Sequence, residues 1–307
     1  MTLEILPDSL YPLSSIEILL RSNNSSIVYK SLSESLVDKK MYLSSMAVLI
    51  VQEGKQVIRS YDGADFKVDE NEIVLLPKDI YVVSDFVTTK GSFDAIVFFI
   101  DEETLNKFMQ FYKQVNKTEA ITSTVTKAVT STVTSTVTST TTNNTDTKIS
   151  KITSNRQINA YLESLHLTYK GIRNNPQLAD IKIIEFLLLI ADHTNNHDFI
   201  TTLLQPTKKR GIKKFMEANY LENLKVSDYA SLTGRSISTF NREFKRLYET
   251  TPNKWLISKR LEKANHLLTN TNSSVTEISM EIGYENVSHF IVAYKNKFGM
   301  TPKHHKK

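Results

Sequence analysis

The stretch from Ile278 to Pro302, Ile-Ser-Met-Glu-Ile-Gly-Tyr-Glu-Asn-Val-Ser-His-Phe-Ile-Val-Ala-Tyr-Lys-Asn-Lys-Phe-Gly-Met-Thr-Pro, reads as a helix, a glycine turn, a second helix and a glycine stop. Upstream, Val226 to Pro252 repeats the plan, with Ala230, Gly234, Phe240, Phe244 and Pro252 answering Ser279, Gly283, Phe290, Tyr294 and Pro302. Two helix-turn-helix units in one chain imply a reader of DNA.

In the first unit, Ser227 is a candidate cap for a helix whose Tyr229, Ala230 and Leu232 face inward. Gly234 permits the left-handed turn that a residue with a Cβ resists. Ser236 caps the next helix, in which Ile237, Phe240, Phe244 and Leu247 are expected to form the buried stripe. The opposite face then carries Ser238, Asn241, Arg242, Lys245 and Arg246. Arginine can grip guanine O6 and N7 with two bonds, asparagine can pair with adenine, and lysine neutralises phosphate. The second unit repeats the turn at Gly283 and is expected to bury Ile278, Ile282, Tyr284, Phe290, Tyr294 and Phe298. Its outward face would carry Val287, Ser288, His289, Ile291, Val292, Lys295 and Lys297, a less polar set. Between the units, Lys254 to Leu268 reads as a helix about 22 Å long, with Leu256, Leu261, Ala264, Leu267 and Leu268 on its apolar side. With its flanking turns it can hold two recognition helices near the ~34 Å spacing of successive major-groove turns.

Charge placement agrees. The net charge of the 307 residues is +5, but residues 207–307 hold 19 Lys and Arg against 9 Asp and Glu, and the rest of the chain is net negative. Such asymmetry suits a polyanion partner for the C-terminal third. Cysteine is absent, which removes disulfides, thiolate metal sites and cysteine nucleophiles and fits a reducing cytoplasm. The start, Met-Thr-Leu-Glu-Ile-Leu-Pro-Asp, does not read as a signal peptide, and the most apolar run, Ile183 to Ala191, is far short of the ~20 residues that span a bilayer. A membrane partner is therefore not expected.

Residues from about 45 to 101 read as strands between turns: Ala47 to Val51, Gln56 to Tyr61, Glu72 to Pro77, Tyr81 to Phe86 and Phe93 to Ile100. Closely spaced strands suggest a small barrel or sandwich. Leu105, Phe108, Met109 and Tyr112 return to helical spacing. Between 117 and 153 a four-residue repeat appears, with Ser-Thr-Val-Thr at 123, 131 and 135; having little to bury, it reads as a disordered linker, or else as an extended segment prone to aggregation. Helical spacing resumes at Ile158, Leu162, Leu165 and Tyr169 and again from Ile183 to Ala191, with Pro176 between. The second of these segments must be covered, either within its own domain or in a dimer interface.

Residues 207–307 resemble the DNA-binding domain of the AraC/XylS family of bacterial transcription regulators. Ala230, Gly234, Ser236, Phe240, Arg242, Phe244, Lys245 and Pro252 carry the resemblance in the first unit. Trp255-Leu256, Arg260-Leu261, Ala264 and Leu267-Leu268 carry it in the link, and Ile278, Gly283, Tyr284, Ser288, Phe290, Tyr294, Lys295, Phe298, Gly299, Thr301 and Pro302 in the second unit. The resemblance places base contacts at Ser238, Asn241 and Arg242 and at Val287, Ser288, Ile291 and Val292. Valine and isoleucine can only touch a thymine methyl or pack on sugar, so sequence choice is expected mainly in the first unit.

The fold class expected is α+β: a cupin-like small β-barrel over 1–116, the linker over 117–153, a helical and possibly dimerising segment over 154–206, and an all-α domain over 207–307 with units at 226–248 and 275–298. By resemblance the chain is expected to be an activator that binds double-stranded promoter DNA and contacts RNA polymerase, with a homodimer as a candidate state, under control of a small effector at the barrel. The alternative is a barrel that serves as a protein-interaction or dimerisation module, meeting a regulatory protein. No cofactor and no catalysis are implied: many cupins are histidine-bearing metal enzymes, but here no histidine precedes His166, and a carboxylate set is a poor substitute. His304 and His305, beside Lys303, Lys306 and Lys307, read as a basic tail near phosphate rather than a metal site.

Overall fold

Unbroken apolar runs such as Ala47–Val51 and Ala95–Ile100 suit strands covered on both faces, and the computed structural model of the chain sets both in the interior of one sheet. The structure describes residues 3–22, 24–89, 91–126 (115–126 by backbone alone), 149–170, 175–193, 202–203, 208–284 and 286–305. They fall into two units, Leu3–Gln205 and Pro206–Lys307.

The first unit has strands β1 (Glu4–Leu6), β2 (Ile16–Arg21), β3 (Ser26–Leu32), β4 (Leu36–Leu43), β5 (Met46–Glu53), β6 (Lys55–Ser60), β7 (Asp65–Val68), β8 (Glu72–Leu76), β9 (Ile80–Phe86), β10 (Phe93–Ile100) and β11 (Ser150–Thr153). One sheet runs β1-β4-β9-β6-β7 and the other β11-β8-β5-β10-β3-β2. Pairing is antiparallel except between β1 and β4. The expected barrel is thus two facing sheets rather than a closed ring. Their shared core joins Val28, Leu49, Val74 and Val97 to Met41, Ile58, Tyr81 and Val83. The far face of the six-stranded sheet, with Ile27, Val48, Ile50, Leu75 and Phe98, packs on helices α1 (Glu102–Thr126), α2 (Arg156–Tyr169) and α3 (Pro176–His193). Phe98 stacks on Phe186 at 4.0 Å. Helix α3 is therefore covered within its own unit along Ile183, Phe186, Leu187 and Ile190, while Ile181 stays exposed.

Four strands precede residue 45, where none was expected. Their pattern is broken by charge: β3 contains Lys30, and β4 contains Asp38-Lys39-Lys40 around a register shift, with Asp38 at φ 51°. Lys30 is buried because a carboxylate meets it across the sheets: its Nζ lies 2.5 Å from Asp85 Oδ2, and Gln56 donates to Asp85 Oδ1 at 2.6 Å. In the segment expected to be a linker, α1 continues to Thr126 and β11 pairs with β8. The rest of that repeat lies outside the described residues, as do Lys306 and Lys307.

The second unit consists of α4 (Ile212–Asn219), α5 (Val226–Leu232), α6 (Ile237–Tyr248), α7 (Pro252–Asn270), α8 (Val275–Glu281), α9 (Val287–Phe298) and α10 (Pro302–His305). Ser227 does not cap α5: the helix starts one residue earlier, and Asp228 Oδ2 accepts the Lys225 N–H at 2.8 Å. Helix α7 is longer than expected because Thr251 caps it and Pro252 stands in its first turn, where no N–H is needed. At nineteen residues it spans about 28 Å.

Arg260 of α7 ties these helices together, donating from Nε to Tyr220 O at 2.8 Å and from Nη2 to Glu222 O at 2.7 Å. Tyr229 of α5 donates to Asn219 O at 2.8 Å, and burial pushes its phenol well above its ordinary value. Gly283, at φ +80°, closes the arrangement: a Cβ there would lie 3.1 Å from Leu221 O and 3.5 Å from the Arg260 guanidinium.

Two predictions follow from these contacts. Lys30→Met leaves Asp85 buried and unpaired, so urea denaturation of the full chain should show the first unit losing about 3–5 kcal/mol. Adding Asp85→Leu should recover most of that loss, and equal instability of single and double variants would contradict the ion-pair account. Gly283→Ala should cost the second unit about 1–3 kcal/mol through backbone strain and the Leu221 contact, read as a lowered unfolding temperature.

Candidate nucleic-acid interface

Helix α6 begins where Ser236 Oγ accepts the Thr239 N–H at 3.3 Å, and it ends at Glu249, in the left-handed conformation. Phe240 and Phe244 anchor its inner side. Beneath them Phe244 stacks on Tyr248 at 4.6 Å, and Trp255 of α7 meets Phe244, Tyr248 and Tyr220 at centroid distances of 5.8, 5.0 and 6.3 Å. Such aromatic contacts add to the burial of area in holding a helix in one orientation. The expected buried stripe is narrower than the sequence implied: Ile237 and Leu247 are about half exposed, because the aromatic cluster already fills the inward arc.

Ser238, Asn241, Arg242, Lys245 and Arg246 are all exposed. The first four stand at i, i+3, i+4 and i+7, the spacing of one helix face, and Arg246 widens it. Within the helix, Glu243 is drawn aside by Arg235 at 2.9 Å, and that hydrogen bond holds its carboxyl below the usual range. The stripe is left cationic.

Helix α9 is capped by Asn286, whose Oδ1 accepts from Ser288 N at 2.8 Å and His289 N at 3.3 Å. Phe290 and Tyr294 face inward with Ile278, Ile282, Leu261 and Leu268. Burial pushes the Tyr294 phenol up to about 12, and it hydrogen-bonds Asn265 Oδ1 and His305 Nδ1, each at 2.8 Å. Ser288, His289, Val292 and Lys295 are exposed, whereas Val287 and Ile291 are only half so, and Ile291 packs against the core. The expected outward face therefore loses part of its apolar character. It gains Asn296, which is exposed, stands one turn beyond Val292 and did not figure in the sequence reading. Its position relative to Ser288 and Val292, at i+8 and i+4, would have found it.

Several basic residues are instead hydrogen-bonded within the unit. Lys297 donates to Ser258 O at 2.7 Å and to Glu262 Oε1 at 2.8 Å, which lowers the Glu262 carboxyl and fixes α9 to α7. Arg235 reaches Arg210 O at 2.8 Å, and Arg210 reaches Leu232 O at 2.9 Å. The two terminal histidines are likewise engaged, His305 with Tyr294 and His304 with Thr301 at 2.7 Å, so they brace α10 rather than form a free tail. No helix among the described residues is long and apolar enough to cross a membrane.

The helix-turn-helix domain family matches residues 229–307, and the ExsA N-terminal regulatory domain family matches residues 46–202, just over half of the chain. The virulence regulon transcriptional activator VirF of Yersinia enterocolitica is 35% identical over 127 residues, 41% of this chain and 47% of VirF. The regulator ExsA of Pseudomonas aeruginosa is 33% identical over 130 residues, 41% of this chain and 46% of ExsA. The matched region spans about half the length of these curated relatives. Among solved structures, ToxT of Vibrio cholerae aligns over 92% of this chain and 97% of its own, at 11% identity and a TM-score of 0.38. With its regulatory domain of the ExsA type and its paired helix-turn-helix units, the chain belongs to the AraC/XylS family of DNA-binding transcription regulators.

Proposed function

We propose that this regulator is a sequence-specific activator that sets α6 and α9 into successive major-groove segments of promoter DNA and works with RNA polymerase. The observation that carries the reading is the exposed stripe of Ser238, Asn241, Arg242 and Lys245 on a helix whose other side is fixed by Phe240, Phe244 and Trp255. Asn241 and Arg242 are the base readers, with Ser238 beside them. Lys245, Arg246 and Lys295 neutralise phosphates. In α9, Ser288 and His289 supply polar contacts, Val292 meets a thymine methyl, and Val287 and Ile291 border the groove.

Control by a small effector at the first unit is part of the proposal. The space between the sheets is only about 50 Å³, and its one cation, Lys30, already pairs with Asp85. A ligand of ordinary size needs about 300 Å³ or more, so the effector belongs at the rim of the sandwich. The alternative, a protein-interaction or dimerisation module, is favoured by a separate feature. Phe111 and Ile181, about half exposed, border an apolar groove between α1 and α3 that Leu188 and Leu189 extend.

Genome-wide mapping of bound DNA would supply the promoter for the test. On that promoter, Arg242→Ala should reduce discrimination against competitor DNA by about 1–3 kcal/mol, while Val292→Ala changes it by less than about 0.5 kcal/mol. Lys245→Ala should weaken binding to all sequences and reduce the salt slope by about one. Equal losses for Arg242→Ala and Val292→Ala in a competition assay would sink the assignment of sequence choice to α6.

A further inference from the structure

A polar cleft of about 400 Å³ opens at the rim of the first unit, where the turn after β1, the end of β2, the corner between β4 and β5 and the start of α1 converge. Its charges are mixed and several are unmatched. Among the described residues, neither the Arg21 nor the Asp8 side chain has an ion-pair or hydrogen-bond partner, although both line the cleft. The Arg21 guanidinium lies 3.9 Å from the centroid of the Tyr11 ring. Tyr11 is itself held by donating to Ser26 Oγ at 2.9 Å. Arginine stacked in this way keeps its planar fork of N–H donors free for a carboxylate.

Negative charge stands nearby. Asp8, opposite in sign to Arg21, lines the same cleft. Asp8 is held in a tight turn in which Leu10 N donates to Pro7 O at 2.9 Å and Ser9 Oγ donates to Ile5 O at 2.9 Å. Asp101 caps α1, accepting from Thr104 N at 2.8 Å. Burial alone would push its carboxyl up, but the hydrogen bonds from Thr104 and Ser25 outweigh that and hold it below its ordinary value. Lys78 is already paired with Glu102 at 2.9 Å. The same cleft is lined by Ser45, which is 6% exposed and whose Oγ is buried without a hydrogen-bond partner. A buried hydroxyl in that state asks for a polar group to meet it.

These features select among ligands. A bare anion would meet Asp8, Asp101 and Glu102; a metal cation would meet Arg21 and Lys78, and no group of three or more carboxylates or histidines is poised for one among the described residues. A molecule bearing both signs a few atoms apart satisfies both sides. The geometry points to a binding site at this rim for a small zwitterion of the α-amino-acid class, its carboxylate gripped by Arg21 and its ammonium group held by Asp8 and Asp101. The cleft volume suits an amino acid with room for its side chain. The site deepens the effector reading above and rests on it only for the consequence at DNA.

The test uses the full chain and a panel of L-α-amino acids at millimolar concentration, with thermal unfolding and calorimetry as readouts, since a ligand of the native state raises its stability by mass action. At least one amino acid should stabilise the protein and bind saturably, while its N-acetyl form, lacking the cation, and its amide, lacking the carboxylate, should not. Arg21→Gln should weaken binding about ten- to a hundredfold. Asp8→Asn, in an exposed turn where folding is not at stake, should weaken it by about tenfold and keep the test decisive if Arg21→Gln disturbs Tyr11. No stabilising amino acid, equal binding of the amide or the N-acetyl form, or stabilisation by inorganic phosphate or a divalent cation instead would overturn the site. Promoter binding measured with and without the amino acid separates the two ideas: saturable binding that leaves DNA affinity unchanged upholds the site and removes the effector reading.

Discussion

The hydrogen bonds from Arg260 to the carbonyls of Tyr220 and Glu222 fix the geometry on which DNA reading depends. Two helix-turn-helix units can act together on one duplex only if their separation and tilt are constant, and α6 and α9 are each too short to be stable alone. Helix α7 supplies the separation, and Arg260 anchors it to the turn that leads into α5. The same guanidinium backs Gly283, the turn of the second unit, so both units are referred to one point. Lys297 repeats the device further along, fastening α9 to Ser258 and Glu262. The basic residues of the C-terminal third therefore divide between those hydrogen-bonded within the unit and those of the exposed stripe on α6.

The helical third was legible because its punctuation is local. Gly234, Gly283, Ser236 and Pro252 act on their own neighbours, and phenylalanine or tyrosine every four residues marks the core of each reading helix. Less legible was how wide each core face is. Ile237 and Leu247 follow the apolar spacing but find the arc beneath α6 already filled by Trp255 and its neighbours, whereas Ile291 finds space and packs in. That outcome depends on residues far away in sequence. The same holds for the strands before residue 45. Lys30 reads as a surface residue until Asp85, fifty-five positions later, is brought against it. A pattern of apolar alternation cannot anticipate a partner of that kind.

The first unit is built to be covered on both faces of its six-stranded sheet, and this limits where anything else can act. Side chains of the second sheet fill one face and helices α1 to α3 the other, leaving only a small void beside Lys30. Ser45, whose buried hydroxyl has no hydrogen-bond partner, stands at the rim, where strands end and turns expose backbone and charge. The fold itself assigns that role to its edges: interior positions favour packing, and the turn after β1 and the cap of α1 carry the chemistry.

Trp255 is the single tryptophan of the chain, and it lies buried under α6 among Phe244, Tyr248 and Tyr220, with the Lys259 ammonium 5.5 Å from its ring. An indole is the one strong intrinsic fluorophore available to the molecule, and its emission shifts when its surroundings admit water. The protein thus carries its own optical gauge, seated under α6. Events that loosen that seat should change the colour of the emitted light.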